Sequence, residues 1–202
     1  MLLPQWREQK ALAISGNIMK HPATIIISIF CLLVLFSCQT SPTEYATKWT
    51  ADIKEKIIAD ANQQFDRSTF DSTYYYLTLY KGDTRLKYFM LRPKFNNING
   101  KILSIDTLVS IFYSTDQKFE LVRELCPAIE RSFEGVRYSG VGHLGLAEFR
   151  FCDGNIKERG FRYGNKEVGV WTKYDSTGKI IEQNDNGNLE LLDKLHDVKY
   201  YR

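Results

Sequence analysis

The chain has 202 residues, of which 25% are charged and 44% are hydrophobic, and its formal net charge is +3. The first 37 residues, which have the pattern of a cleavable signal, contain three basic side chains and one acidic side chain. Without them the net charge of the chain is +1. Such a chain lacks the basic surface of a nucleic-acid-binding protein, so no nucleic-acid partner is expected. It is long enough for a domain with a buried core, and its many tyrosines and phenylalanines favour β-sheet.

The N-terminal segment has the pattern of a cleavable export signal. An apolar run of fifteen residues, Ala23–Ser37, follows the basic Lys20, and a membrane-spanning helix needs roughly 20 residues. The run ends in Leu-Phe-Ser before Cys38, which resembles the lipobox of bacterial lipoproteins. The resemblance implies that residues 1–37 are a signal segment, that Met19 is an alternative start, and that Cys38 is lipidated. The other interpretation is a plain membrane anchor with an incidental cysteine.

The lipoprotein interpretation predicts a location in the bacterial cell envelope. Residues 38–48 are then a lipidated tether, and the lipid anchor gives the protein its membrane contact. The residue after the lipidated cysteine is Gln39 rather than the aspartate of inner-membrane lipoproteins, which favours the outer membrane. The tether begins without an acidic export cluster, which favours the periplasmic face over the cell surface.

Apolar residues at helical spacing predict a helix over residues 44–66, at the start of a domain that covers residues 49–134. The apolar positions are Trp49, Ile53, Ile57, Ala61 and Phe65.

A hairpin is predicted next, over residues 71–92, with its turn at residues 81–84, and a third strand over residues 101–113. Alternation places Tyr74, Tyr76 and Tyr80 on one face of the first strand. This row is the best candidate binding surface, because exposed aromatic side chains can stack on sugars or receive a partner protein. The alternative is that a helix covers the row.

A second helix is predicted from residue 114 to residue 133. Ser114 and Gln117 have the spacing of a capping box. The apolar stripe that follows consists of Phe119, Val122, Cys126, Ile129 and Phe133, with Pro127 expected to kink the helix. The predicted fold is therefore α+β: a helix, an antiparallel β-sheet and a second helix, followed by a β-hairpin repeat extension.

The repeat extension covers residues 135–202. The segment 135–138, Gly-Val-Arg-Tyr, recurs 25 positions later as Gly-Phe-Arg-Tyr at 160–163. Glycines recur 24 positions apart, at residues 145 and 169 and again at residues 154 and 178. A fixed period indicates stacked structural units. The tail, residues 189–196, is predicted to form a capping helix with Leu191, Leu192 and Leu195 facing inward.

The second copy of the repeat resembles the MORN-variant repeat family. The matching positions are Gly160, Tyr163, Gly169, Trp171, Tyr174 and Gly178, whereas the first copy has Ala147 in place of the tryptophan. The resemblance covers the last third of the chain. It implies structural roles for these residues, with β-hairpins side by side, glycines at tight turns and aromatic rings stacked between hairpins, and it implies an antitoxin-like role.

Residues with catalytic potential are few. Two histidines, His143 and His196, follow the signal segment, and His143 is interpreted as an ordinary loop residue. Cys126 and Cys152 either form a disulfide or remain buried thiols, and their spacing is not that of a zinc site. No cofactor or metal site is predicted, and the protein is not predicted to be an enzyme.

The sequence therefore predicts a non-enzymatic envelope lipoprotein that binds another macromolecule. The expected partner is a protein, and the family resemblance implies a toxin that this chain neutralises. The alternatives are a glycan- or cell-wall-binding lipoprotein and an unrecognised hydrolase. The candidate binding residues are Tyr74, Tyr76 and Tyr80 on the hairpin, with Arg162 and Tyr163 on the repeat.

Overall fold

Ten antiparallel strands form a single sheet in the computed structural model, which describes residues 40–126 and 132–200. Each strand pairs with the next one along the chain, so the order in the sheet is the order in the sequence. The strands are β1 Arg67–Asp71, β2 Tyr76–Lys81, β3 Thr84–Phe95, β4 Ile102–Tyr113, β5 Phe119–Glu124, β6 Ser132–Tyr138, β7 Gly142–Arg150, β8 Ile156–Gly164, β9 Lys166–Tyr174 and β10 Ile180–Asp185.

Helix α1, Pro42–Ala61, packs across one face of this sheet. Its N-terminus is capped by Ser41, whose hydroxyl accepts a hydrogen bond from the backbone N–H of Glu44 at 3.2 Å. The predicted apolar stripe from Trp49 to Ala61 is buried. The predicted helix is therefore confirmed, but it ends at Ala61 rather than at residue 66.

The main core lies between α1, the middle strands and the C-terminal segment. That segment forms a short helix α2, Glu190–Asp193, and a 3₁₀-helix, Lys194–Asp197. Of the three leucines predicted to face inward, Leu192 and Leu195 are fully buried in this core, and Leu191 is partly buried against it.

The two ends of the described chain meet at this core. The ring of Tyr45 stacks on His196 with centroids 3.7 Å apart. Trp49 Nε1 donates a hydrogen bond to the carbonyl of Val198 at 3.4 Å. The C-terminal segment is therefore a partner of α1 rather than a cover for the edge strand β10.

The predicted α+β fold class is wrong, because the fold is mainly β and the predicted second helix is absent from its described part. Ser114 does not cap a helix there; its hydroxyl accepts from the N–H of Phe119 at 2.9 Å and closes the β4–β5 turn. Residues 119–124 form β5, with Leu121 facing α1 and Val122 facing the opposite side. Apolar residues on both faces of a strand imitate helical spacing. Pro127 and Ile129 lie outside the described residues.

The internal repeat corresponds to two consecutive hairpins, β6–β7 and β8–β9. Gly145 and Gly169 have positive φ values of 74° and 62°. The register of the β6–β7 pair shifts near Gly145, and the register of the β8–β9 pair shifts at the corresponding place near Gly169. Each inserts a β-bulge, where a residue without Cβ is favoured. The boundary expected between residues 134 and 135 falls inside β6, so the sheet continues through it.

The expectations for residues 1–37, the start at Met19, and lipidation of Cys38 concern residues outside the described part of the chain. Within residues 40–126 and 132–200, no helix combines the length and the apolar character needed to cross a membrane.

Candidate functional site: the open face of the sheet

The sheet has two faces, and α1 covers one of them. Phe112 in β4 packs toward α1, whereas its neighbour Ile111 points to the other side. There Ile111 packs against a second buried cluster of Val122, Phe133, Ala147, Phe149 and Trp171. Neither of the described helices lies on this side. We call it the open face.

Aromatic rings fill the space above glycines on the open face. Trp171 is only 3% exposed, and its indole lies over Gly160, where a Cβ atom would collide with the ring. Its Nε1 donates a hydrogen bond to the carbonyl of Phe161 at 3.0 Å. The same ring lies 6.4 Å from that of Phe149 in β7. Trp171 therefore links its own hairpin to the preceding one.

A row of tyrosines continues the open face toward the first strands. Tyr88 lies opposite both Ile111 and Thr78 in the ladders, so these side chains share a face. Tyr76 is two residues from Thr78, and its ring centroid is 5.4 Å from that of Tyr88. Tyr74 stacks on Tyr76 with centroids 5.6 Å apart and is 63% exposed. Neither described helix covers the row.

Two arginines pack on these tyrosines. The guanidinium of Arg67 lies 4.3 Å from the ring centroid of Tyr80. The guanidinium of Arg85 lies 5.2 Å from the ring centroid of Tyr113 and donates to its hydroxyl at 3.2 Å. We call this group the tyrosine–arginine cluster; it consists of Tyr76, Tyr80, Tyr88, Tyr113, Arg67 and Arg85.

The cluster is positively charged, because neither arginine has a carboxylate partner among the described residues. Elsewhere on this face the arginines are paired: Arg137 lies 3.3 Å from Glu120, and Arg162 lies 3.5 Å from Glu167. Burial raises the pKa of the Tyr113 hydroxyl above 10. That hydroxyl is therefore neutral at physiological pH.

The structure does not bring Arg162 and Tyr163 together. They are neighbours in β8 and point to opposite faces. Arg162 lies on the open face, 5.2 Å from the ring of Trp171. Tyr163 packs against the main core, and the Nζ of Lys194 lies 5.7 Å from its ring. Only Arg162 can share a binding surface with the tyrosine row.

His143 was missed by sequence reasoning, which placed it in a glycine-rich loop. It lies in β7 on the open face, with its ring 5.1 Å from that of Phe133. Its Nδ1 is buried without a hydrogen-bond partner. Burial, and then the positive charges of Arg162 and Arg137, lower its pKa to about 4. The alternation of small and apolar residues after Gly142 was the available signal for a strand.

Cys126 and Cys152 are joined in a disulfide, with their Cα atoms 5.5 Å apart. The bond ties the segment after β5 to the turn after β7. Neither sulfur is a free thiolate in this state, so neither is available as a nucleophile or a metal ligand. Among the described residues, no three His, Cys, Asp or Glu side chains are grouped closely enough to hold a metal ion.

Several grooves lie beside α1. One, of about 480 Å³, lies between the start of α1 and strands β8–β10. Its charged lining residues are Glu44, Arg159 and Asp185, and neither histidine nor cysteine lines it. The carboxylates of Glu44 and Asp185 therefore have no histidine or cysteine beside them in the lining of this groove.

Comparison with known proteins does not add to this picture. No family model matches the chain, and neither the curated proteins nor the solved structures contain a match.

Proposed function

We propose that this chain is a lipid-anchored envelope protein that binds a partner protein through the open face of its sheet and catalyses no reaction. The observation that carries the proposal is the tyrosine–arginine cluster on a face without helix cover. Tyrosine, tryptophan and arginine dominate the binding energy of protein interfaces. The envelope location depends on the lipoprotein signal at Cys38.

The packing of the tyrosine rings favours a protein partner over a glycan. A sugar stacks on an exposed ring face, but Tyr76 already contacts the rings of Tyr74 and Tyr88. Arg67 occupies a face of Tyr80. The ring faces of Tyr76 and Tyr80 are therefore already occupied in part, which suits a broad protein contact better than sugar stacking. Tyr74 is the residue that supports the glycan alternative, because it is the most exposed ring of the row.

The charge of the cluster indicates what the partner surface carries. Arg67 and Arg85 have no acidic partner within the described residues, so carboxylates of a bound protein could pair with both guanidinium groups. We therefore propose a partner with an acidic surface. The MORN-variant resemblance adds that this partner is a toxin.

The experiment compares matched variants in capture from a cell-envelope extract, followed by reconstitution with the captured protein. Arg85→Ala and Tyr74→Ala should each weaken binding about tenfold or more. Lys48→Ala on the outer face of α1 is the control and should bind as wild type does. Binding should also weaken as salt is added, because the charges at the rim are screened.

Three results would contradict the proposal. Equal losses in Arg85→Ala and Lys48→Ala would mean that the open face is not the binding surface. Retention on purified cell-wall glycan, competed by free sugar and lost in Tyr74→Ala, would establish the glycan alternative. Hydrolysis of an ester, glycan or peptidoglycan substrate, lost in His143→Ala, would establish the hydrolase.

A further inference from the structure

Strands β3 and β4 extend beyond the rest of the sheet as a two-stranded ribbon. The pairing of β2 with β3 ends at Met90, and the pairing of β4 with β5 ends at Val109. From there outward, β3 and β4 pair with each other as far as Phe95 and Ile102. We call residues 92–106 the ribbon. A ribbon of two strands buries little surface of its own and is marginally stable in water.

The ribbon has an apolar face and a charged face. Pro93 lies opposite Ile105, and Phe95, two residues further on, lies opposite Ile102. On the other face Arg92 lies opposite Asp106, and Lys94 follows it at the next position of that face. The Nζ of Lys94 is 3.0 Å from the carboxylate of Asp106.

Most apolar side chains of the ribbon are exposed. Ile98 in the tip loop is 95% exposed, and Leu103 is 67% exposed. The apolar surface continues into the sheet, because Tyr75 contacts both Phe95 and Phe70, with ring centroids 6.5 Å and 6.2 Å apart. Exposed apolar surface on this scale marks a site of interaction with a protein or a membrane.

We propose that the ribbon docks on a lipid bilayer that carries anionic headgroups. Its charge fits this partner: Arg92, Lys94 and Lys101 outnumber the single acidic residue, Asp106. Lys101 lies beside the apolar tip and has no acidic partner among the described residues. Basic residues next to apolar ones are the combination that binds an anionic membrane surface.

The shape of the ribbon also favours a bilayer over a protein. The most exposed apolar side chain is at the tip of a narrow projection, where it can enter the membrane first. A stable protein interface needs about 800 Å² from each partner, and a projection of two strands presents little flat surface of that kind. Among the described residues, no strand pairs with the outer edges of the ribbon. Insertion must therefore remain shallow, at the depth of the headgroups, where water still reaches the backbone groups.

The test uses flotation of the soluble chain that begins at Gln39, which keeps every described element and carries no anchor. Wild type should float with vesicles of phosphatidylglycerol and phosphatidylcholine and far less with phosphatidylcholine alone. Ile98→Asp and Leu103→Asp should each lower the partition coefficient about tenfold or more. Lys101→Ala should lower it about fivefold on the anionic vesicles.

The matched control is Ile181→Asp, which places the same charge at an apolar residue of β10 that is 64% exposed. It should float as wild type does, and all variants should keep the wild-type circular dichroism spectrum. Failure of wild type to float would overturn the proposal, as would equal losses in Ile181→Asp and Leu103→Asp. A dimer that Ile98→Asp dissociates, without vesicle binding, would identify a second copy of the chain as the occupant.

Discussion

At the scale of single residues, the open face depends on aromatic rings packed over positions that lack a side chain. Trp171→Ala should remove the indole from Gly160 and break its hydrogen bond to Phe161. We expect a loss of about 3–5 kcal/mol in the free energy of unfolding, because the ring is almost completely buried. Urea denaturation measures it.

Trp171→Phe is the companion variant, since it keeps a ring and removes the hydrogen bond. It should be clearly more stable than Trp171→Ala. A loss well below about 1 kcal/mol in Trp171→Ala would show that the indole is not a packing residue. Attention would then turn to Trp171 as a binding residue.

His143 should make stability sensitive to mild acid. Its pKa is about 4 in the folded chain, against 6.5 when exposed. Between these values the unfolded chain binds a proton that the folded chain does not, so the free energy of unfolding falls as the pH falls from 6.5 to about 4. The free energy of unfolding should decrease by about 1 kcal/mol between about pH 7 and about pH 5. This is less than the full difference between the two pKa values would give, because the ring is only partly buried and solvent screens it.

The control for this pH effect is His143→Gln, which should lose less stability over the same interval. Carboxylates also make stability depend on pH, but at lower pH than His143. Burial raises the pKa of Glu134, but the nearby Lys54 and Arg123 outweigh it and hold that pKa below 4.5. A pH profile that is identical in wild type and His143→Gln would mean that the imidazole is solvated in the folded chain.

At the scale of elements, the disulfide is the tie that stabilises the middle of the sheet. It joins cysteines 26 positions apart in the sequence, and a loop of this size predicts about 3.5 kcal/mol of stabilisation. Reduction should lower the urea midpoint of the chain that begins at Gln39. The double variant Cys126→Ala/Cys152→Ala should show the lowered midpoint with or without reductant. A midpoint that reductant leaves unchanged in wild type would show that the two thiols are not joined in solution.

Element types were predictable where one face of the element is apolar. Helix α1 has a clear helical period, and the strands on both sides of the β2–β3 turn alternate clearly. Both the helix and the turn are present as expected. Strand β5 was mistaken for a helix because Leu121 and Val122 are buried on opposite faces. The 24-residue recurrence of Gly145 and Gly169 was visible in the sequence, but their bulges depend on pairing with distant strands.

The candidate site was predictable only in part for the same reason. Strand alternation was sufficient to place Tyr76 and Tyr80 on the same face of β2. Their packing with Arg67 and Arg85 requires the register of three strands, which no local pattern determines. Alternation should also have separated Arg162 from Tyr163, since adjacent residues of a strand point to opposite faces.

At the scale of the whole molecule, lipidation of Cys38 is the prediction on which the envelope location depends. Cys38→Ser should block maturation, and the protein should move out of the detergent phase in a phase-partition assay. The mature wild-type protein should lack residues 1–37 and carry the mass of attached lipid. An intact mass from the native host that still includes residues 19–37 would refute the lipoprotein interpretation.

The contact between the two ends of the chain also determines when folding can finish. A ribosome or a translocation pore delivers residues in order, so α1 emerges first. The core on its apolar face is completed only when Leu192 and Leu195 emerge, after all the described strands. Strands that pair with their immediate neighbours can form in the meantime, since their contacts are local. The nascent protein therefore keeps part of this core uncovered until its C-terminal segment arrives.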